Sequence, residues 1–229
     1  MHPPPERPDV TITPRATGDV SDVLLHRATL RPQDVIEMND VPVTTVTRTV
    51  VDIGRSTSTA AAVVSLDAAL HLRLTDAPEL EEVIRACRGW PGVRRARLAV
   101  ALADARAESP LESFSRLVLR WLKLPAPELQ TTLCDATGTF LGRTDFYWDE
   151  FGVAGEADGL SKYDDHQVLT AEKLRQEELA NSGIEVVRWG WSDVRYRPRH
   201  LGARITRAFA RGRRRDHSGF PRQWSVRAA

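Results

Sequence analysis

The feature that most constrains this chain is the reversal Asp149-Glu150-Phe151-Gly152, set between GRTDFYW (142–148) and VAGEADG (153–159). A strand alternates its side chains between two faces, so a tight reversal decides which residues meet across a hairpin. Centred between Glu150 and Phe151, it pairs residues whose numbers sum to 301, and Asp145 then stands opposite Glu156. Directly opposed β-carbons lie about 4.5–5.5 Å apart, and like charges at that separation destabilise the pair. Asp158 shares a face with Glu156 by the two-residue period, so three carboxylates gather on one patch of sheet.

Two things can offset that repulsion. One carboxyl can take up a proton, its pKa raised by its neighbour. Alternatively a divalent cation sits between the acids, because Mg²⁺ accepts oxygen ligands from one or two carboxylates and fills its remaining positions with water and substrate phosphate. A cation so held polarises a phosphate and generates hydroxide from bound water. Lys162, four residues past Asp158, is placed to orient the water or to meet the developing charge. The plain alternative is that Asp145 pairs with Arg143 of its own strand and that Asp158-Gly159 is turn chemistry.

The hairpin sits in an ordered series of elements. Upstream, SPLESFSRLVLRWLKL (109–124) reads as a helix, with Ser109 as N-cap, Pro110 in the first turn and Glu112 three residues past the serine. Leu111, Phe114, Leu117, Val118 and Trp121 make its apolar stripe. Strands follow at 128–134, 139–148 and 153–158, then a helix at about 166–182 stopped by Gly183, a strand at 184–191 and a basic helix at 200–211. The order α-β-β-β-α-β-α predicts an α/β fold with a mixed sheet over 109–211.

Residues 21–108 read as a small, mainly helical module. Its short strands turn at Asn39-Asp40, and helices are expected at 59–74, 77–90 and 93–108, with Val63, Leu66, Leu70 and Leu74 on one stripe. Residues 1–20 read as a loose, proline-rich leader with one possible strand at 9–13, and 212–229 as a basic tail.

Charge and cysteine use narrow the partners. The chain totals +1, yet from Arg199 onward nine arginines face a single acid, Asp216. A basic end on an acidic body suits an anionic partner, nucleic acid first. The run Arg211, Arg213, Arg214 and Arg215 fits sequence-independent contact with phosphates, or else a solubilising tail. Cys87 and Cys134 match no zinc or redox spacing and read as buried thiols of a reducing cytoplasm. No apolar run is long enough for a bilayer, and MHPPPERP has no signal-peptide core. A cytoplasmic, non-membrane protein is expected.

Taken together, Glu112 on a first helix, Asp145 on a second strand and Glu156-Ala157-Asp158-Gly159 on a third resemble the PD-(D/E)XK nuclease superfamily, and within it the Vsr-like endonuclease domains. SPLESFSR, PELQ, GRTDFYW, EADGLSKY, AEKLRQEELANSG and VVRWGW occur in the matching order across 109 to about 210. The resemblance implies a restriction-endonuclease-like core and a DNA phosphodiester hydrolase using Mg²⁺ or Mn²⁺ and leaving a 5′-phosphate. It implies that Asp145 and Glu156 bind the metal, with Glu112 a further ligand, directly or through water. The superfamily's usual lysine two residues past the glutamate is replaced by Asp158, and Lys162 is the candidate for the displaced charge. Lys173 or Arg175 is hinted to reach a DNA phosphate, although Lys173 also stands four residues from Glu177, as in a surface ion pair. Upstream, VPVTTVTRTVVDIGRS and the alanine-rich helix resemble AbiEi-type antitoxins and transcriptional regulators, without the winged helix that usually begins them. That second likeness implies the alternative of a non-catalytic DNA-binding antitoxin or regulator with a cognate toxin, keeping the nuclease fold as a scaffold.

Overall fold

The structure, a computed structural model, describes residues 8–12, 22–134, 137–158 and 183–214. Strands β1 (Asp9–Ile12) and β2 (Leu24–Arg27) pair in parallel, and β3 (Val35–Met38) and β4 (Val41–Thr44) form an antiparallel hairpin. Its turn residues Asn39 and Asp40 both have positive φ, 52° and 62°, the conformation that two-residue hairpins need and that these residue types tolerate.

Four helices follow: α1 (Val46–Ser56), α2 (Thr59–His71), α3 (Ala77–Ala86) and α4 (Val93–Leu102). The first three are capped by Thr45, Ser58 and Asp76, whose side chains accept from the backbone N–H three residues on. The four helices enclose a core of Val51, Val63, Leu66, Leu80, Cys87 and Ala96. The helices at 59–74, 77–90 and 93–108 therefore end early, at His71, Ala86 and Leu102. Leu74 leaves the expected stripe; it lies past the helix end and is 53% exposed. Cys134, expected buried, is only partly so.

Helix α5 (Pro110–Trp121) joins the two halves. Leu111 and Leu119 enter the core of the sheet, Leu117 leans on the helical core, and Arg116 pairs at 2.7 Å with fully buried Asp67 of α2. Trp121, expected on the stripe, is 60% exposed at the last turn. Beyond α5 lie β5 (Glu128–Cys134), β6 (Phe140–Trp148), β7 (Val153–Ala157) and β8 (Glu185–Trp189), in that spatial order. β6 runs antiparallel to both of its neighbours, β5 and β7, and β8 runs parallel to β7. The fold is thus α/β with a mixed four-stranded sheet.

One face of the sheet carries Phe146, Trp148, Val153 and Trp189 against Leu201, Ile205 and Phe209 of α7 (Pro198–Gly212). The other carries Leu133, Tyr147, Ala154 and Ile184. The strand expected at 184–191 stops at Trp189, and Trp191 opens a short helix, α6 (Trp191–Tyr196), where it is 41% exposed against the Phe114 ring. The expected helix at 166–182 lies outside the described residues. Among those that are described, no helix is long and apolar enough to cross a membrane.

Candidate functional site

The reversal at 149–152 is one turn of 3-10 helix closed by Gly152 at φ 57°. It sets the pairs Phe146–Gly155, Tyr147–Ala154 and Trp148–Val153, all in the expected register. Continued one residue, that register sets Asp145 against Glu156 on the face that carries Tyr147 and Ala154. The parallel pairing places Arg188 of β8 beside Glu156.

Asp145 is held by two donors. Its Oδ2 accepts from the backbone N–H of Ala157 at 2.8 Å, and its Oδ1 from Gln130 Nε2 at 3.2 Å. The same Gln130 Nε2 donates to Glu112 Oε2 at 2.8 Å, tying the acid of α5 to the acid of β6. Glu112 is buried and also accepts from the backbone N–H of Glu108 at 2.9 Å. Ser109 caps α5 as expected, while the Glu112 carboxylate reaches back to Glu108 rather than to Ser109. Arg143 pairs with Glu108 at 2.7 Å, not with Asp145.

Burial raises the Asp145 carboxyl to about 6, and the nearby charges of Glu112 and Glu156 push the same way, against the hydrogen bonds from Ala157 and Gln130. Taking up a proton at one carboxyl is the first of the two ways to relieve a crowded group of acids. Glu156 is buried and accepts from Arg188 Nε. Asp158 departs from the expected trio: it stands past the end of β7, exposed, with its backbone N–H on Trp189 O at 2.8 Å. The crowding is therefore among Glu112, Asp145 and Glu156, and among the described residues no group of three or more His, Cys, Asp or Glu has metal-binding geometry. Lys162, Lys173, Arg175 and Arg215 lie outside the described residues.

Gln130 carries a feature that residue types do not signal. Its φ is 54°, unusual for a non-glycine residue in a strand, and its buried Oε1 has no hydrogen-bond partner. Gln130 and Arg188 are the site residues that sequence reasoning missed. The signal for each was a register: β5 against β6 sets Gln130 opposite Asp145, and β8 against β7 sets Arg188 beside Glu156. The donor set of Glu112, Asp145, Glu156 and Gln130 Oε1 consists of oxygen atoms, the chemistry a hard cation takes.

The basic C-terminal run differs from its expected form. Arg211 pairs with Glu185 at 3.0 Å, and Arg213 pairs with Glu150 and lies over the Phe151 ring at 4.5 Å. These two arginines bind the end of α7 to the sheet, and only Arg214 of the described three is exposed without an acid partner.

No family model matches the chain, and no solved structure matches it. Two curated proteins of Mycobacterium tuberculosis do, uncharacterized protein MT2308 of strain CDC 1551 / Oshkosh and uncharacterized protein Rv2248 of strain ATCC 25618 / H37Rv. Each is 34% identical over 165 residues, which is 72% of this chain and 60% of the relative. The chain thus spans less than two thirds of the length of these relatives.

Proposed function

We propose that residues 109–211 form a Vsr-like endonuclease domain of the PD-(D/E)XK type, hydrolysing DNA phosphodiester bonds with Mg²⁺ or Mn²⁺ and leaving a 5′-phosphate. The observation that carries this reading is Asp145, a half-buried carboxyl raised to about 6 with Glu112 and Glu156 close enough to add to the shift. A site that keeps acids together at such a cost suits a cation more than it suits stability. The unpartnered Oε1 of Gln130, in the same cluster, is one more oxygen without a donor.

In this reading Asp145 and Glu156 hold the ion, and Glu112 supports it directly or through water. Bound there, Mg²⁺ or Mn²⁺ would neutralise phosphate charge and lower the pKa of its water toward neutrality. Gln130 keeps Glu112 and Asp145 at a fixed separation, and the Ala157 N–H orients Asp145. Asp158 and Lys162 belong to the same proposal, the lysine meeting negative charge on the phosphate. The test is cleavage of supercoiled plasmid with Mg²⁺ or Mn²⁺ beside Asp145→Ala and Glu156→Ala. Nicking by wild type that both variants lose supports the enzyme; equal activity in all three defeats it.

A second reading is favoured by one contact. Arg188 already neutralises Glu156 without a metal, as a retained scaffold would require. That protein is a non-catalytic DNA-binding regulator of the AbiEi type with a cognate toxin as partner, and it binds DNA in EDTA yet never cuts.

A further inference from the structure

We propose that the cavity at the junction of α3 and α4 binds nucleic-acid backbone phosphate, giving the helical module a DNA contact of its own, apart from the acidic cluster. The cavity has a volume of about 410 Å³ and is lined by Arg88, Trp90, Gly92, Arg94 and Arg97, among others. The three arginines are exposed, and no acid among the described residues pairs with them.

The nearby acids are already engaged. Asp34, Asp52 and Glu82 meet Arg31, Arg48 and Arg55 in a network packed under this turn, so they are not left to neutralise Arg88, Arg94 and Arg97. The turn that presents them is built, not loose. Arg48 and Arg55 lie against the Trp90 ring at 4.9 and 4.8 Å, and Arg55 Nε donates to Pro91 O at 3.1 Å. Gly92, at φ 80°, sits so close that a β-carbon would stand 2.1 Å from Arg55 O. Arg94 and Arg97 are one turn apart on α4, and they share the cavity with Arg88, which stands in the turn just past the end of α3. Phosphates recur along each DNA strand about every 3.4 Å of axis, so fixed guanidinium groups can engage neighbouring ones. Arg211 and Arg213 are committed to Glu185 and Glu150, so this cluster is a better-prepared phosphate contact than those two arginines.

The proposal does not rest on catalysis, and its test excludes metal. Fluorescence anisotropy of a labelled 20-base-pair duplex with the full chain in EDTA, repeated across salt concentrations, compares wild type with the triple variants Arg88→Ala/Arg94→Ala/Arg97→Ala and Arg88→Lys/Arg94→Lys/Arg97→Lys. The alanine variant is expected to lose about two to three from the log-affinity against log-salt slope and about tenfold or more in affinity near physiological salt. The lysine variant, which keeps the charges, is expected to keep the slope. Arg94→Glu alone should weaken binding in the same direction. An unchanged slope in the alanine variant, or in Arg94→Glu, would overturn the proposal. So would binding of inorganic phosphate that the alanine variant loses while its duplex binding stays intact, since the site would then serve a free anion.

Discussion

At the scale of single residues, Asp145 sets the behaviour of the site. Its folded-state pKa, about 6, lies above the ordinary carboxyl value near 4, so its protonated form favours the fold. That stability is complete below about pH 4 and is lost as pH rises through about 6. At pH 7.5 the ionised, part-shielded carboxylate then costs about 1–2 kcal/mol. Asp145→Asn is accordingly expected to raise the unfolding free energy at pH 7.5 by that amount, with the gain fading toward pH 4, as urea denaturation at both pH values would reveal. Gln130 makes a second residue-level prediction. Its hydrogen bond favours the ionised form of Asp145, so Gln130→Ala should raise the Asp145 pKa further, measured by carbon NMR of the carboxyl. Gln130→Gly should raise it equally while relieving a left-handed backbone that costs a non-glycine residue about 1–2 kcal/mol, and so should be the more stable of the two. A lower pKa in either variant would show that Gln130 does not hold the carboxylate.

At the scale of elements, the sheet depends on close approach at Gly155. A β-carbon there would stand 2.5 Å from Trp189 Cη2 and 3.1 Å from Phe146 Cβ, and Trp189 Nε1 donates to buried Ser115 Oγ of α5 at 2.8 Å. Gly155→Ala must therefore displace an anchored indole and is expected to lower stability by about 1–3 kcal/mol, seen as a lower urea midpoint with an unchanged slope. The elements themselves were legible where local chemistry decided them. Asn39-Asp40 announced a hairpin, Ser109-Pro110 the start of α5, and Asp149–Gly152 a register that held to the residue. What was not legible came from tertiary context. Trp191 continues the aromatic run of β8, yet Asp193 Oδ2 accepts from the Gly190 backbone N–H at 3.2 Å and starts a helix there. Leu74 and Trp121 fit a helical period, but Leu74 lies past the end of α2 and Trp121 is the last, exposed residue of α5. Asp158 obeys the strand period for a strand that has already ended. The left-handed Gln130 has no residue-type signal at all.

At the scale of the whole molecule, the helical module and the sheet are joined through a buried ion pair. Asp67, wholly buried on α2, accepts from Arg116 of α5 at 2.7 Å and from the backbone N–H of Asp104 at 2.7 Å. Arg116→Ala would strand that carboxylate and is expected to cost about 3 kcal/mol or more. Thermal unfolding followed by near-ultraviolet circular dichroism should show the loss, and an unchanged midpoint would mean that the pair contributes nothing to the joint. The same scale carries the functional division proposed here, with acids for a cation on the sheet and free arginines for phosphate on the helices. The central claim is that the acids of α5, β6 and β7 exist to hold a divalent cation. Calorimetric titration of the full chain with Mn²⁺ at pH 7.5 tests it most directly. The account predicts one binding site whose heat disappears in Asp145→Asn and weakens as the pH falls below about 6. Heat that is absent in the wild type, or equal in the two proteins, would contradict it.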